Sequence, residues 1–437
     1  MMSAIATAPA LNLTVEDLKS VLGELKNYHE IYSPMFQRRE QRENAEMYLK
    51  GLLSPLERKS VERIVLGVRG VDRNAVRSLQ CFVSLGAWED GPILKQHWKE
   101  VGSDLGEADG VLTVDGSDFP KQGKESVGVK RQYCGELGKR ANCQAGVFVG
   151  YVSRKGYTLL DRRLYLPEEW VEDEAYAGKR DKCGIPKTVS FKTKPELAVE
   201  MISEVKQAGT LACQWVAADE GFGRDTAFLD AVEKCGLWYF AEVPHDTRVW
   251  TERPETAVPE WSGRGRKPVR AQLTQGEPEA QPVVALAQSL PASAWHRQTI
   301  KEASQGPLVA EFALSRVIAV RDGLPGPEVW LVLRRHPETG ELKTYLSNAP
   351  AQTPHLTLVR LSGCRWPIET CFEEAKQLLG MGDYEVRSWV GWHHHMMLVI
   401  LAHFFVVRTM LGMKKKSTPD PQSNRALTGG DFTLTRI

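Results

Sequence analysis

The sequence has no Cys-x-x-Cys pair, no phosphate-binding G-x-x-x-x-G-K-S/T loop, no His-Glu-x-x-His and no Gly-x-Ser-x-Gly. These absences exclude zinc ribbons, P-loop nucleotide chemistry, zincin proteases and elbow-type serine hydrolases. Excess charge is also missing: 56 Lys and Arg stand against 55 Asp and Glu, a formal net charge of +1. Any grip on a polyanion must therefore come from local clustering. The N-terminal stretch has no basic segment leading into an apolar one, so no signal peptide is expected. The longest apolar run, Met396 to Val407, contains His403 and is too short by itself to span a bilayer. It reads as a buried helix, and no membrane partner is expected. Internal repeats are absent. The eight cysteines, Cys81, Cys134, Cys143, Cys183, Cys213, Cys235, Cys364 and Cys371, read as reduced thiols of a cytoplasmic protein.

What is present is a 437-residue chain, 42% hydrophobic and 25% charged, with room for two or three domains. Residues 15 to 108 carry helical spacing, as in Leu18, Val21, Leu22 and Leu25, with a second helix start read at Ser54-Pro55. Between Ile31 and Gln80 there are ten Lys and Arg against six Asp and Glu, including Arg38, Arg39, Arg58 and Lys59. A small basic helical region is a candidate DNA-binding module. From Gly110 the pattern changes to strands. Val111 to Val114 leads into Asp115, and Gln144 to Val152 and Tyr157 to Leu166 follow. Between the first two lies a glycine-spaced basic stretch with Lys121, Lys124, Lys130, Arg131, Lys139 and Arg140, suited to phosphate contact.

Lys194 to Ala208 reads as a helix, Gln214 to Ala218 as a strand ending at Asp219, Arg224 to Lys234 as a helix and Trp238 to Val243 as a strand. Thr251 to Gln305 is loop-like and includes Gly263-Arg264-Gly265-Arg266, a possible minor-groove hook. Strands return at Leu308 to Val320, Val329 to Arg334 and Lys343 to Leu346. Two strands ending in Asp115 and Asp219 point to a site at strand carboxyl ends. The third component is Arg365-(3)-Glu369-(6)-Lys376, whose members fall on one helical stripe. Pro367 requires that helix to begin near Trp366 or to kink. Hard carboxylate oxygens are the donors that Mg²⁺ or Mn²⁺ accepts, and flanking cations suit phosphates. Asp118 is the rival to Asp115 as first ligand. His393, His394 and His395 cannot all face one metal from a helix and read as structural.

The blocks around Val114-Asp115-Gly116-Ser117-Asp118-Phe119, Trp215 to Asp225, and Arg365-Trp366-Pro367-Ile368-Glu369 through Lys376 resemble a DDE-type insertion-sequence transposase. The branch is the one with a Tyr-(2)-Arg-(3)-Glu-(6)-Lys signature. Ser126 to Tyr133, Leu164 to Pro167 and Tyr384 to His393 add to the likeness, which spans roughly Met35 to Leu411. The resemblance implies an α/β fold: an RNase H-like mixed sheet flanked by helices, interrupted by a β-rich insertion and preceded by an all-helical DNA-binding domain. The corresponding boundaries are 1–108, 109–250 (first part of the core), 251–344 (insertion), 345–412 (second part, carrying Glu369) and an unstructured tail at 413–437. It implies that Asp115, Asp219 and Glu369 are catalytic and bind two Mg²⁺ or Mn²⁺ ions, and that Arg365 and Lys376 contact phosphate. Lys121, Lys130 and Arg131 are further DNA contacts by their charge and spacing. The implied activity is cleavage at the ends of the element, then strand transfer, with a hairpin end as one route open to the branch. Its partners would be double-stranded DNA and a second copy in a synaptic dimer. Ser362 occupies the signature tyrosine position. Trp250, Trp261, Trp295 and Trp330 are candidates for holding a flipped base. Two other readings stay open: a transposase-derived DNA binder that does not cut, and an RNase H-like nuclease that never joins strands.

Overall fold

The computed structural model describes residues 15–261, 266–301 and 307–417, with side chains from residue 20 to 413. The chain opens with five helices: α1 (Val15–Tyr32), α2 (Arg39–Leu53), α3 (Val61–Arg69), α4 (Arg73–Ser84) and α5 (Asp90–Leu105). Ser54-Pro55 does not start a helix, contrary to the sequence reading; α3 begins at Val61. Leu52 and Leu53 still belong to α2. The buried Lys59 ammonium donates to the carbonyls of Leu52 and Ser54, which holds the intervening turn closed. Lys59 therefore leaves the basic surface to which its sequence neighbours assigned it.

The main sheet is built from β1 (Val111–Pro120), β2 (Lys130–Cys134), β3 (Lys139–Val152) and β4 (Tyr157–Tyr165), then, after three helices, β5 and β6. Those helices are α6 (Glu168–Glu172), α7 (Ala177–Cys183) and α8 (Lys194–Ala208). The last spans the range its sequence indicated and begins at a Thr193/Glu196 capping box. β5 (Trp215–Ala218) leads through α9 (Glu220–Gly223) and α10 (Thr226–Lys234) to β6 (Trp238–Glu242). β1 runs antiparallel to β3 and parallel to β5, and β5 runs parallel to β6.

β7 (Arg248–Trp250) follows, and the region read as loop-like then holds β8 (Thr256–Ala257), β9 (Gln272–Leu273), β10 (Gln281–Pro282), α11 (Val283–Ser289) and β11 (His296–Lys301). Its Gly263-Arg264-Gly265 segment lies outside the described residues. Then come β12 (Leu308–Arg321), β13 (Leu324–Arg335) and β14 (Leu342–Ser347). Asp322 and Gly323, both at positive φ, make the two-residue turn between β12 and β13. β14 pairs with β6, so these strands extend the same sheet rather than forming a second one.

The chain closes with α12 (His355–Leu361), α13 (Trp366–Leu378) and α14 (Trp389–Ser417). The sequence reading missed α12. α14 continues past Met413, where an unstructured tail was expected; residues 418–437 lie outside the described residues. The stretch Trp389–Met413, at mean hydropathy 1.9, is long and apolar enough to cross a membrane, so the apolar run understated the helix. Here it is the core: residues from Met396 to Phe405 are buried on every side, as a helix apolar all round requires. Its three consecutive histidines tie it to its surroundings. His395 Nδ1 shares a 2.8 Å hydrogen bond with the Tyr48 hydroxyl, His394 lies between the Val83 and Trp88 carbonyls, and His393 faces the Trp389 carbonyl. Burial holds His393 and His395 down at about 3.

Candidate active site

Strand pairing places the first two carboxylates. β5 pairs with β1 only from Val111↔Trp215 to Val114↔Ala218. The next residues in that register are Asp115 and Asp219, on strands about 4.8 Å apart. Side chains alternate along a strand, so Asp115 continues the row of Val111, and Asp219 the row of Trp215 and Ala217. All three apolar residues belong to the cluster that α12 covers with Leu358, Val359 and Leu361. β1 itself does not end at Asp115, as the sequence reading had it. It runs on to Pro120 against β3 alone, and Asp115 sits where the β5 side becomes free. Asp118, three residues on, faces the other way, and its Oδ2 accepts from the Gly135 N–H at 2.7 Å. Asp115 is thus the residue beside Asp219.

Asp219 caps the short helix α9, its Oδ1 accepting from the Phe222 N–H at 3.2 Å. Gly223 closes that helix against β6: a Cβ there would stand 1.9 Å from the Glu242 carbonyl oxygen. Gly223→Ala is expected to cost about 1–3 kcal/mol by overpacking. Thermal melting checks this; an unchanged Tm would show that the backbone approach is not close in solution.

α13 delivers the third carboxylate. Its first residue is Trp366, with Pro367 in the first turn and Arg365 at the cap, so the helix starts there instead of kinking. The Arg365 guanidinium spans the site. Its Nη1 donates to Asp115 Oδ2 at 3.2 Å, and its Nη2 pairs with Glu369 Oε1 at 2.5 Å. Burial pushes the Asp115 carboxyl up to about 7, the nearby Asp219 charge adds to this, and Arg365 opposes it. Asp219 is also raised, chiefly by burial.

Sequence reasoning missed Glu242. It follows Ala241, which pairs with Ala218, so it extends the row Asp115–Asp219 by one strand. Its carboxylate pairs with Lys343 Nζ at 3.2 Å. The available signal was a third strand ending on an acid. Trp366, 59% exposed beside Arg365, and Tyr133, 65% exposed on β2, were also missed.

The predicted cations divide. Arg365 joins the carboxylates. Lys376, on the same helix, donates to the Asp118 carbonyl at 3.1 Å and pairs with Glu136. Lys121 lies over the Tyr384 ring, 3.4 Å from its centroid, and burial lowers its ammonium to about 8. Lys130 pairs with Glu169. Arg131 and Arg140 are exposed and have no side-chain partner among the described residues. Ser362 is buried, its hydroxyl donating to the Val359 carbonyl at 2.7 Å. Among the tryptophans, Trp250 and Trp330 are buried and donate to the Pro278 and Pro350 carbonyls. Trp295 is half-buried under Arg335, and Trp261 is half exposed.

The DDE superfamily endonuclease family matches residues 32–307, more than half of the 437-residue chain. The chain belongs to the DDE superfamily of endonucleases. Membership carries phosphodiester hydrolysis, a DNA substrate and the general use of divalent metals. The matched segment of this endonuclease contains Asp115 and Asp219 and ends before Glu369, which α13 brings to them. No curated protein matches the chain.

The donors fit the metal a DDE endonuclease uses, since carboxylate oxygens suit hard divalent ions. The set is not closed: among the described residues no three His, Cys, Asp or Glu converge as metal ligands. A divalent ion held there would compete with the Arg365 guanidinium for the Asp115 and Glu369 oxygens. Closing the set requires those side chains to re-pair.

Proposed function

We propose that this endonuclease is the DNA transposase of an insertion sequence, of the Tyr-(2)-Arg-(3)-Glu-(6)-Lys branch. It cuts DNA at the ends of its element and transfers the freed 3′ ends to other DNA. The observation that carries the reading is the position of Asp115 and Asp219 side by side, just past the last paired residues of two neighbouring parallel strands, with Glu369 joined to Asp115 through Arg365. The strand order β4-β3-β1-β5-β6 supports an RNase H-like core, and the strands after β6 supply the insertion. In this reading residues 1–108 bind the terminal repeats, and the enzyme works as a synaptic dimer on the DNA of the cytoplasm. A hairpin end is one route to second-strand opening.

Asp115, Asp219 and Glu369 would hold two Mg²⁺ or Mn²⁺ ions, which polarise the attacking and leaving oxygens of a phosphodiester. The chain supplies the rest. Arg365, released from Glu369, is placed to hold a phosphate, for which its planar fork is suited. Cys364 and α12 wall the site on its apolar side. Lys376 anchors α13 to β1 and to the turn after β2.

The hairpin of β2 and β3 continues from this side of the molecule. Tyr133 lies opposite Arg140, and Arg131 is two residues along on the same face. Two unpaired guanidiniums flanking an exposed ring make a surface suited to backbone phosphates. Replacing Arg131 and Arg140 together by Ala should weaken DNA binding and reduce the slope of log K against log salt by about 2. An unchanged slope removes this hairpin from the interface.

The experiment that tests the function uses DNA flanking the gene. Incubated with the purified chain and Mg²⁺ or Mn²⁺, it is expected to acquire nicks at discrete ends. Binding without nicks in either metal would favour a DNA binder that does not cut. Nicks without joining of pre-cut ends would favour a nuclease.

A further inference from the structure

Lys59 is 3% exposed, and its ammonium serves none of the chemistry above. It donates to three main-chain carbonyls from two separate segments: Leu52 in the last turn of α2 and its cap Ser54 at 2.7 Å, and Leu378, the final residue of α13. Two helix C-termini, each carrying partial negative charge and unsatisfied carbonyls, thus converge on one cation. The Lys59 main-chain N–H donates to Asp383 Oδ2 at 2.8 Å, just beyond α13. Gly380, at φ +66°, lets the chain turn there; a Cβ would lie 2.7 Å from the Lys59 Cβ. Burial lowers the ammonium to about 8 and Asp383 opposes this, so the group remains largely charged at neutral pH.

We propose that Lys59 is a positioning residue for DNA cleavage: it pins the C-terminal end of α13 to the N-terminal helices and so sets where Glu369 stands relative to Asp115 and Asp219. The inference rests on the reading of those carboxylates as the catalytic set. Glu369 lies nine residues before Leu378, roughly 13 Å along a rigid helix axis, so an axial slip at one end appears at the other. The roll of α13 is fixed separately. Glu374 accepts from His403 Nε2 at 3.0 Å and from the Tyr157 hydroxyl at 3.2 Å, and Ile368, Cys371 and Ala375 are buried. Loss of Lys59 therefore leaves the helix docked through Glu374 and Lys376 but frees its C-terminal end at Leu378 to shift.

The test compares the full-length chain with Lys59→Met, a variant of similar length without donors. DNA affinity is expected to be unchanged and Mn²⁺-dependent turnover to fall about 100-fold, the scale of a 1 Å misplacement. Amide exchange in the last turn of α13 should quicken. A variant that loses only thermal stability, with turnover and exchange protection intact, overturns the positioning role. Should Lys59→Met not fold, Lys59→Gln, which keeps two N–H donors, is read the same way. Cleavage that survives Asp219→Asn in the same assay would instead overturn the catalytic reading beneath the proposal.

Discussion

Asp219→Asn should abolish metal-dependent DNA cleavage, a loss of about a thousandfold or more, while DNA binding and folding persist. About 4 kcal/mol of transition-state stabilisation corresponds to that factor, and a lost metal-binding carboxylate is expected to remove several. Asn is the informative substitution because its side-chain oxygen can still accept from the Phe222 N–H and keep α9 capped. Ala would remove cap and ligand together. The substitution also takes away the charge that helps raise Asp115, so the variant should be no less stable than the parent. The measurement is cleavage on a denaturing gel beside a binding isotherm at fixed salt. Cleavage within tenfold of wild type would take Asp219 out of the catalytic set.

Most elements that build the site were legible because each depends on local pattern. Helical spacing announced α8, apolar runs announced β1 and β5, and Pro367 narrowed α13 to a start near Trp366 or a kink, of which the start is found. What was not legible depends on pairing. Nothing near Asp115 says that β5 stops pairing at Val114, which is what frees its side chain while β1 continues. Glu242 was overlooked because its place is set by the register Ala218↔Ala241, a contact between strands. Lys59 was misread for the same reason: beside Arg58 it looks like surface charge, and it is covered by a segment distant in sequence that includes Leu378, 319 residues away, and Asp383. α12 and α11 are short and amphipathic, with proline at their caps, and so resemble loop sequence.

The second large effect concerns pH. In metal-free protein, Asp115 titrates near 7 in the fold and near 3.8 when unfolded. Between those values the native state holds the extra proton, so stability falls as pH rises. The contribution is present in full below about 4 and is lost above about 7. A difference of about 3 pKa units corresponds to at most about 4 kcal/mol. Asp115→Asn carries no titrating group, so its stability relative to wild type should grow from near zero at pH 4 to several kcal/mol at pH 8, both in EDTA. Chemical denaturation across that range gives the difference for the coupled Asp115 and Asp219 carboxyls, titrating groups away from the pair being common to both proteins. Divalent ions should reverse the order. Metal binds the deprotonated carboxylates, so Mn²⁺ should stabilise wild type more at pH 8 than at pH 5, and the variant little at either. A wild-type-to-variant difference that stays flat with pH would mean Asp115 is ionised throughout, held so by Arg365. The row Asp115–Asp219–Glu242 would then be balanced by the cations Arg365 and Lys343, with no need of a proton.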